Sequence, residues 1–180
     1  MRERRSAAEL VRRWLFLAVS LLIMALGVAC SIQASLGTSP ISSLPYVLSQ
    51  IAPLSVGVTT ILMNAVLVLI QIFILRRRYD PVQLLQLPVA VVFGCLTDLA
   101  LWVVSFLQPA AYWQQWLLCL VGIALVGVGV SCEVTAGVVT MAGEGVVLAV
   151  CQVAPIKFGT MKVIFDVSLV AISCVLSLLF

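Results

Sequence analysis

Apolar residues run in five long blocks along this chain, at residues 14–34, 56–75, 82–107, 113–136 and 158–180. A hydrocarbon layer about 30 Å thick is crossed by about 20 helical residues, so each block predicts one transmembrane helix. Two further apolar pieces, 40–51 and 140–153, are too short to cross comfortably. Their length is that of re-entrant or interfacial helices. The polar gap LGTSPISSLP, residues 36–45, separates the first two blocks. Gly37 permits a sharp turn, Thr38 or Ser39 can cap a helix N-terminus, and Pro40 suits a first helical position. The gap therefore predicts the start of a short helix rather than only a loop.

Composition agrees with the pattern. Of 180 residues, 63% are hydrophobic and 9% charged, against roughly 45–50% and about 25% in soluble domains. This is the composition of an integral membrane protein. It sets aside a soluble domain and a nucleic-acid partner, and it makes the lipid bilayer the main surrounding. The net charge of +3 comes from short clusters at span ends: Arg2, Arg4, Arg5, Arg12 and Arg13 before the first span, Arg76–Arg78 after the second, and Lys157 before the fifth. With five crossings and a cytoplasmic N-terminus, all three clusters fall on the cytoplasmic side, as the positive-inside rule expects. A multi-pass protein of the bacterial cytoplasmic (inner) membrane is expected.

The start of the chain also has the look of a signal peptide, Arg-rich then apolar, and GVAC at Gly27–Cys30 faintly resembles a lipoprotein cleavage site. A repeat argues against that. Shifting the chain by 102 residues aligns the stretch from Gly27 with the stretch from Gly129 without a gap. Matches include Gly27/Gly129, Cys30/Cys132, Thr38/Thr140, Gln50/Gln152, Pro53/Pro155 and Gly57/Gly159. GVAC thus recurs inside the chain as GVSC, which favours a structural element. Matched spans are three apart in order and so run in opposite directions. The expected fold is an all-α membrane protein, a 3+3 inverted-repeat helical bundle with two short re-entrant or interfacial helices. In this single membrane domain, 1–180, residues 14–107 form the first repeat, with its short helix at 40–51. Residues 113–180 form the second, with its short helix at 140–153. The scheme expects a sixth span after residue 180, at about residues 184–209 by the same offset.

The segments LGTSPISSLPYVLS, APLSVG and APIKFGTMKVIFDVSLV resemble the YczE/YyaS/YitT-type family of bacterial integral membrane proteins. The resemblance covers most of residues 14–180. It implies a small multispan protein with a further C-terminal span, and it implies no catalytic residue set.

Chemistry in such a chain is sought at polar groups inside the apolar blocks, where they are costly and mark function by default. Asp98 lies inside the third span without a partner there, and is the first choice for a proton or cation site. Glu133 lies near the end of the fourth. Glu144 lies on the second short piece, either in the membrane or in cytoplasmic water. Lys162 and Asp166 are spaced i, i+4 and can pair on one helix face; their repeat partners are Thr60 and Asn64. Two helix N-termini entering from opposite faces could cradle a solute. Expected solute contacts are Thr38, Ser39, Ser42, Ser43, Thr140, Glu144 and Asn64. Expected coupling groups are Asp98, Glu133, Lys162 and Asp166. Lys162–Asp166 can equally be a structural pair, and the short helices can simply pack. There is no His, and the six Cys form no C-x-x-C pair, so no metal or cofactor is expected. Ser6-x-x-Glu9 reads as a capping box for a short basic helix.

The expected function is a small transporter or permease for a polar or anionic solute, proton- or ion-coupled, working alone, as a homo-oligomer or with a membrane partner. The alternative is a non-transporting accessory or regulatory protein that packs against a partner complex. An enzyme is not expected, because no nucleophile–base set is visible.

Overall fold

The computed structural model describes residues 7–180; Arg2, Arg4, Arg5 and Ser6, with the proposed capping box, lie outside them. Every regular element among the described residues is helical: α1 (Ala7–Gln33), α2 (Pro40–Ile51), α3 (Val56–Leu75), α4 (Gln86–Val104), α5 (Tyr112–Ala136), α6 (Ala142–Val153) and α7 (Phe158–Leu179). The first helix begins at Ala7, ahead of the expected residue 14, and the third apolar block becomes α-helical only at Gln86. Its start, Pro81–Leu85, is a 3₁₀ turn, with Asp80 capping it through a bond from the Val82 N–H and Pro81 in the first helical position, where a missing N–H costs nothing. The spans α1, α3, α4, α5 and α7 are long and apolar enough to cross a membrane.

At the start of α1, Glu9 pairs with Arg13 at 2.8 Å. The Arg13 guanidinium also reaches the Ala136 carbonyl at the end of α5, while Ser31 near the other end of α1 lies beside Gly122. The two helices are therefore antiparallel, and theirs is the most extensive contact in the bundle. Helices in lipid gain little from burying apolar surface, so close approach at small residues must supply the attraction. A Cβ at Gly27 would come 2.7 Å from the Val126 backbone nitrogen. The same device joins α3 to α4, where Gly57 faces the backbone of Gly94.

Two apolar clusters result. One gathers Leu17, Leu21, Ala25 and Ala29 of α1 with Phe93, Ala100 and Val104 of α4. The other gathers Val68 of α3, Val147 of α6 and Phe165 of α7. The short helices belong to the second cluster: α6 packs on α3, and α2 packs on α7. Gln71 of α3 donates to the Ala142 carbonyl of α6 and to Gln86 Oε1 of α4, both at 3.0 Å, and lies against Gly145. Ser173 of α7 meets Ser43 of α2 at 3.0 Å.

Candidate functional site

Between the two clusters lies a cavity of about 210 Å³ lined by residues of all seven helices. Its walls combine an apolar set, including Met24, Met63, Phe93 and Met141, with a polar set, including Ser39, Ser42, Asn64, Glu133, Glu144, Lys162 and Asp166. The first turns of both α2 and α6 reach it.

Local chain chemistry explains the α6 side. Gly137 takes φ +57°, which glycine adopts without cost, and ends α5. The chain then doubles back over α5, and Glu133 Oε1 accepts the Met141 N–H at 2.9 Å. The N-cap position of α6 belongs to Met141, whose side chain makes no capping bond; the Glu133 carboxylate holds that helix start. At α2, Ser39 occupies the N-cap position and Pro40 the first helical one. The Ser39 hydroxyl turns to Ser42 Oγ at 3.0 Å rather than capping the backbone. On α7, Lys162 Nζ donates to Asp166 Oδ1 at 2.8 Å, both side chains half-buried.

The other expected site residues lie elsewhere. Ser43 donates to the Pro40 carbonyl and faces Ser173. Thr38 lines a hollow beside the end of α1 with Ser31, Leu36 and Gly37. Thr140 lines a second hollow, beside the end of α5, with Glu133, Val138 and Val139. Glu133 and Glu144 border both this second hollow and the central cavity, while Ser39 and Pro40 border the first hollow and the central cavity.

Asp98, without a partner in its own span, finds two outside it and does not line the cavity: Oδ2 accepts from Ser55 Oγ at 2.6 Å and Oδ1 from the Gly57 N–H at 2.7 Å. A carboxylate at a helix N-terminus complements the free N–H groups and partial positive charge there. Asp98 thus fastens the start of α3 to α4. Asp98→Ala is expected to destabilise the protein by about 1–3 kcal/mol, the usual loss for hydrogen bonds to a charged group. Asp98→Asn, which keeps one acceptor, should cost less. Thermal unfolding in detergent measures both, and ligand response should be unchanged in either.

Six pairs of cavity residues are separated by the same 102 positions that align the sequence: Met24/Val126, Val28/Val130, Ser39/Met141, Ser42/Glu144, Thr60/Lys162 and Asn64/Asp166. Met24, Met63 and Phe93 were not anticipated as site residues. Nothing in their type or spacing distinguishes them from other core side chains.

The profile of a family of unknown function, DUF6198, matches residues 11–180. The chain belongs to that family. "Uncharacterized protein YyaS" of Bacillus subtilis (strain 168) is 31% identical over 118 residues, covering 65% of this chain and 57% of YyaS. The resemblance read from the sequence is thus to a family of YyaS type, and the chain matches little more than half the length of that relative. No solved structure matches the chain.

Proposed function

We propose that this DUF6198 member is a small solute transporter whose binding site is the central cavity. One observation carries the reading: a mid-span cavity lined by all seven helices, whose walls pair at the repeat offset and hold charged groups. A protein that only packs gains nothing by leaving such a void, since voids forfeit dispersion contacts and intramembrane charges are costly. Transporters built as inverted repeats place their solute at the repeat interface near mid-membrane, against broken or short helices.

Several reciprocal contacts support the inverted-repeat plan. The bounds of α2 and α6, and the starts of α3 and α7, differ by the repeat offset. Gly27 meets Val126 while Gly129 meets Met24. Gln71 of α3 meets Gly145 of α6, while the equivalent Ser173 of α7 meets Ser43 of α2. The two flanking hollows share equivalent walls, Ser31/Glu133, Leu36/Val138, Gly37/Val139 and Thr38/Thr140. On this reading they are vestibules on opposite membrane faces, and the N-terminal Arg cluster marks the cytoplasmic one. The expected anionic character of the solute loses support at α6, whose N-terminus already holds Glu133 and carries Glu144 in its first turn.

The test has two parts. A thermal-shift screen of the purified protein against small metabolites, followed by uptake into liposomes, should identify at least one solute that does both; a panel that does neither overturns the transport reading. Leu36→Cys and Val138→Cys, in a cysteine-free background, should react with a membrane-impermeant maleimide from opposite faces. Labelling from one face alone contradicts the inverted repeat.

A further inference from the structure

We infer that the cavity takes an organic cation, a protonated amine on a small apolar body. This rests on the cavity being the solute site. The inference comes from which hydrogen-bonding groups on its wall are already satisfied.

Asn64 decides most. It is 2% exposed. Its Nδ2 donates to the Thr60 carbonyl at 2.8 Å, an acceptor that requires the amide nitrogen on that side. Oδ1 is left as the other end of the amide, buried and without a partner. A buried, unpaired polar atom is costly, and this one can be satisfied only by a donor. The carboxylates point the same way. Glu133 is 3% exposed and uses one oxygen for the Met141 N–H. Among the described residues the ion pairs are Glu9–Arg13 and Lys162–Asp166. Lys162, the one basic residue on the wall, is therefore committed to Asp166, and among the described residues neither Glu133 nor Glu144 is ion-paired.

Donors are scarce. The Thr60 hydroxyl donates to the Val56 carbonyl, and Ser39 to Ser42. The first turn of α2 offers an anion little. Pro40 has no N–H, the Ser42 and Ser43 N–H groups already bond the Ser39 carbonyl at 2.9 Å, and the Ile41 N–H alone is left over. The wall thus presents acceptors and negative charge in excess, which match an ammonium group with its three donors. The methionines and Phe93 supply a soft apolar surface for the rest of the molecule. About 210 Å³ lies below the roughly 300–1,000 Å³ of drug-sized sites, so the body is small.

Three probes of similar shape separate the possibilities: benzylammonium, benzyl alcohol and benzoate. Binding is followed by isothermal titration and thermal shift on the full chain, in detergent and in nanodiscs. Benzylammonium should bind at least tenfold more tightly than the other two. Glu144→Gln and Asn64→Leu should each weaken it at least tenfold, and the unliganded melting temperature of each variant shows whether it has folded. Glu144→Gln is nearly isosteric and serves if Asn64→Leu fails to fold. Benzoate or benzyl alcohol binding as tightly as benzylammonium overturns the cation class but leaves the cavity as a solute site. Benzylammonium binding that Glu144→Gln leaves unchanged also overturns it. If none of the three binds at millimolar concentration in either medium, the cation inference falls, and the metabolite screen with liposome uptake decides the solute-site reading separately.

Discussion

Gly27→Leu is expected to prevent the bundle from closing. The α1–α5 contact is the broadest in the molecule, and within it a Cβ on Gly27 would lie 2.7 Å from the Val126 nitrogen and 2.8 Å from the Gly122 carbonyl oxygen. Neither obstacle can rotate away, because both are helical backbone. The helices must separate, and a gap of about 0.5–1 Å forfeits roughly a quarter to a half of the dispersion attraction between facing atoms. In lipid no hydrophobic term compensates, since the tails solvate leucine as well as a neighbouring helix does. Overpacking typically costs about 1–3 kcal/mol, sometimes more, and a backbone obstacle puts this case at the upper end. At about 2–4 °C per kcal/mol for a chain of this size, the melting temperature should fall by about 6–12 °C, or the protein should emerge aggregated from size exclusion. Gly127→Leu, on the facing helix α5, is the control. A Cβ there meets nothing within 4 Å, so a change of about 0.5 kcal/mol or less is expected. Equal stability of the two variants would show that α1 and α5 do not pack in this way.

The second large effect concerns Lys162 and Asp166. Asp166→Ala should destabilise the protein by about 1–3 kcal/mol. Breaking a fully buried ion pair costs about 3–5 kcal/mol because one charge is left uncompensated. Here the side chains retain 31% and 26% exposure, and partial solvation reduces that penalty. Lys162→Met/Asp166→Leu removes both charges and should recover most of the loss, since apolar replacement of such pairs is often neutral or stabilising. Function separates the two roles of the pair. If Lys162 and Asp166 only neutralise each other, the double variant binds benzylammonium and transports like the parent. As part of the cavity wall they are expected to matter, and transport should fall at least tenfold while the fold survives.

Much of the helical framework was legible in the sequence. Helix number and bounds follow from length and composition, because a backbone in lipid must satisfy its own hydrogen bonds. The start of α2 at Pro40 and the bounds of α3 at Val56 and Leu75 are where the apolar blocks and turn residues place them. The repeat offset also marked Thr60/Lys162 and Asn64/Asp166 as matched polar positions before their surroundings were known.

The partners of the polar side chains were not legible. Asp98 stood out as a lone intramembrane acid, yet it is held by Ser55 and Gly57 on a neighbouring helix. Glu133 drew notice for its charge, while its bond to Met141 depends on the chain reversing at Gly137. The free oxygen of Asn64 cannot be inferred from any spacing. The sequence by itself determined an all-helical chain with five spans long and apolar enough to cross a membrane, and most of their limits, because these depend on apolar length and local backbone chemistry. Only the tertiary structure decided which polar groups share the cavity and which are already satisfied. That depends on where helices cross, and the crossings are set by backbone approach at residues such as Gly27, Gly57 and Gly122, whose neighbours lie far away along the chain.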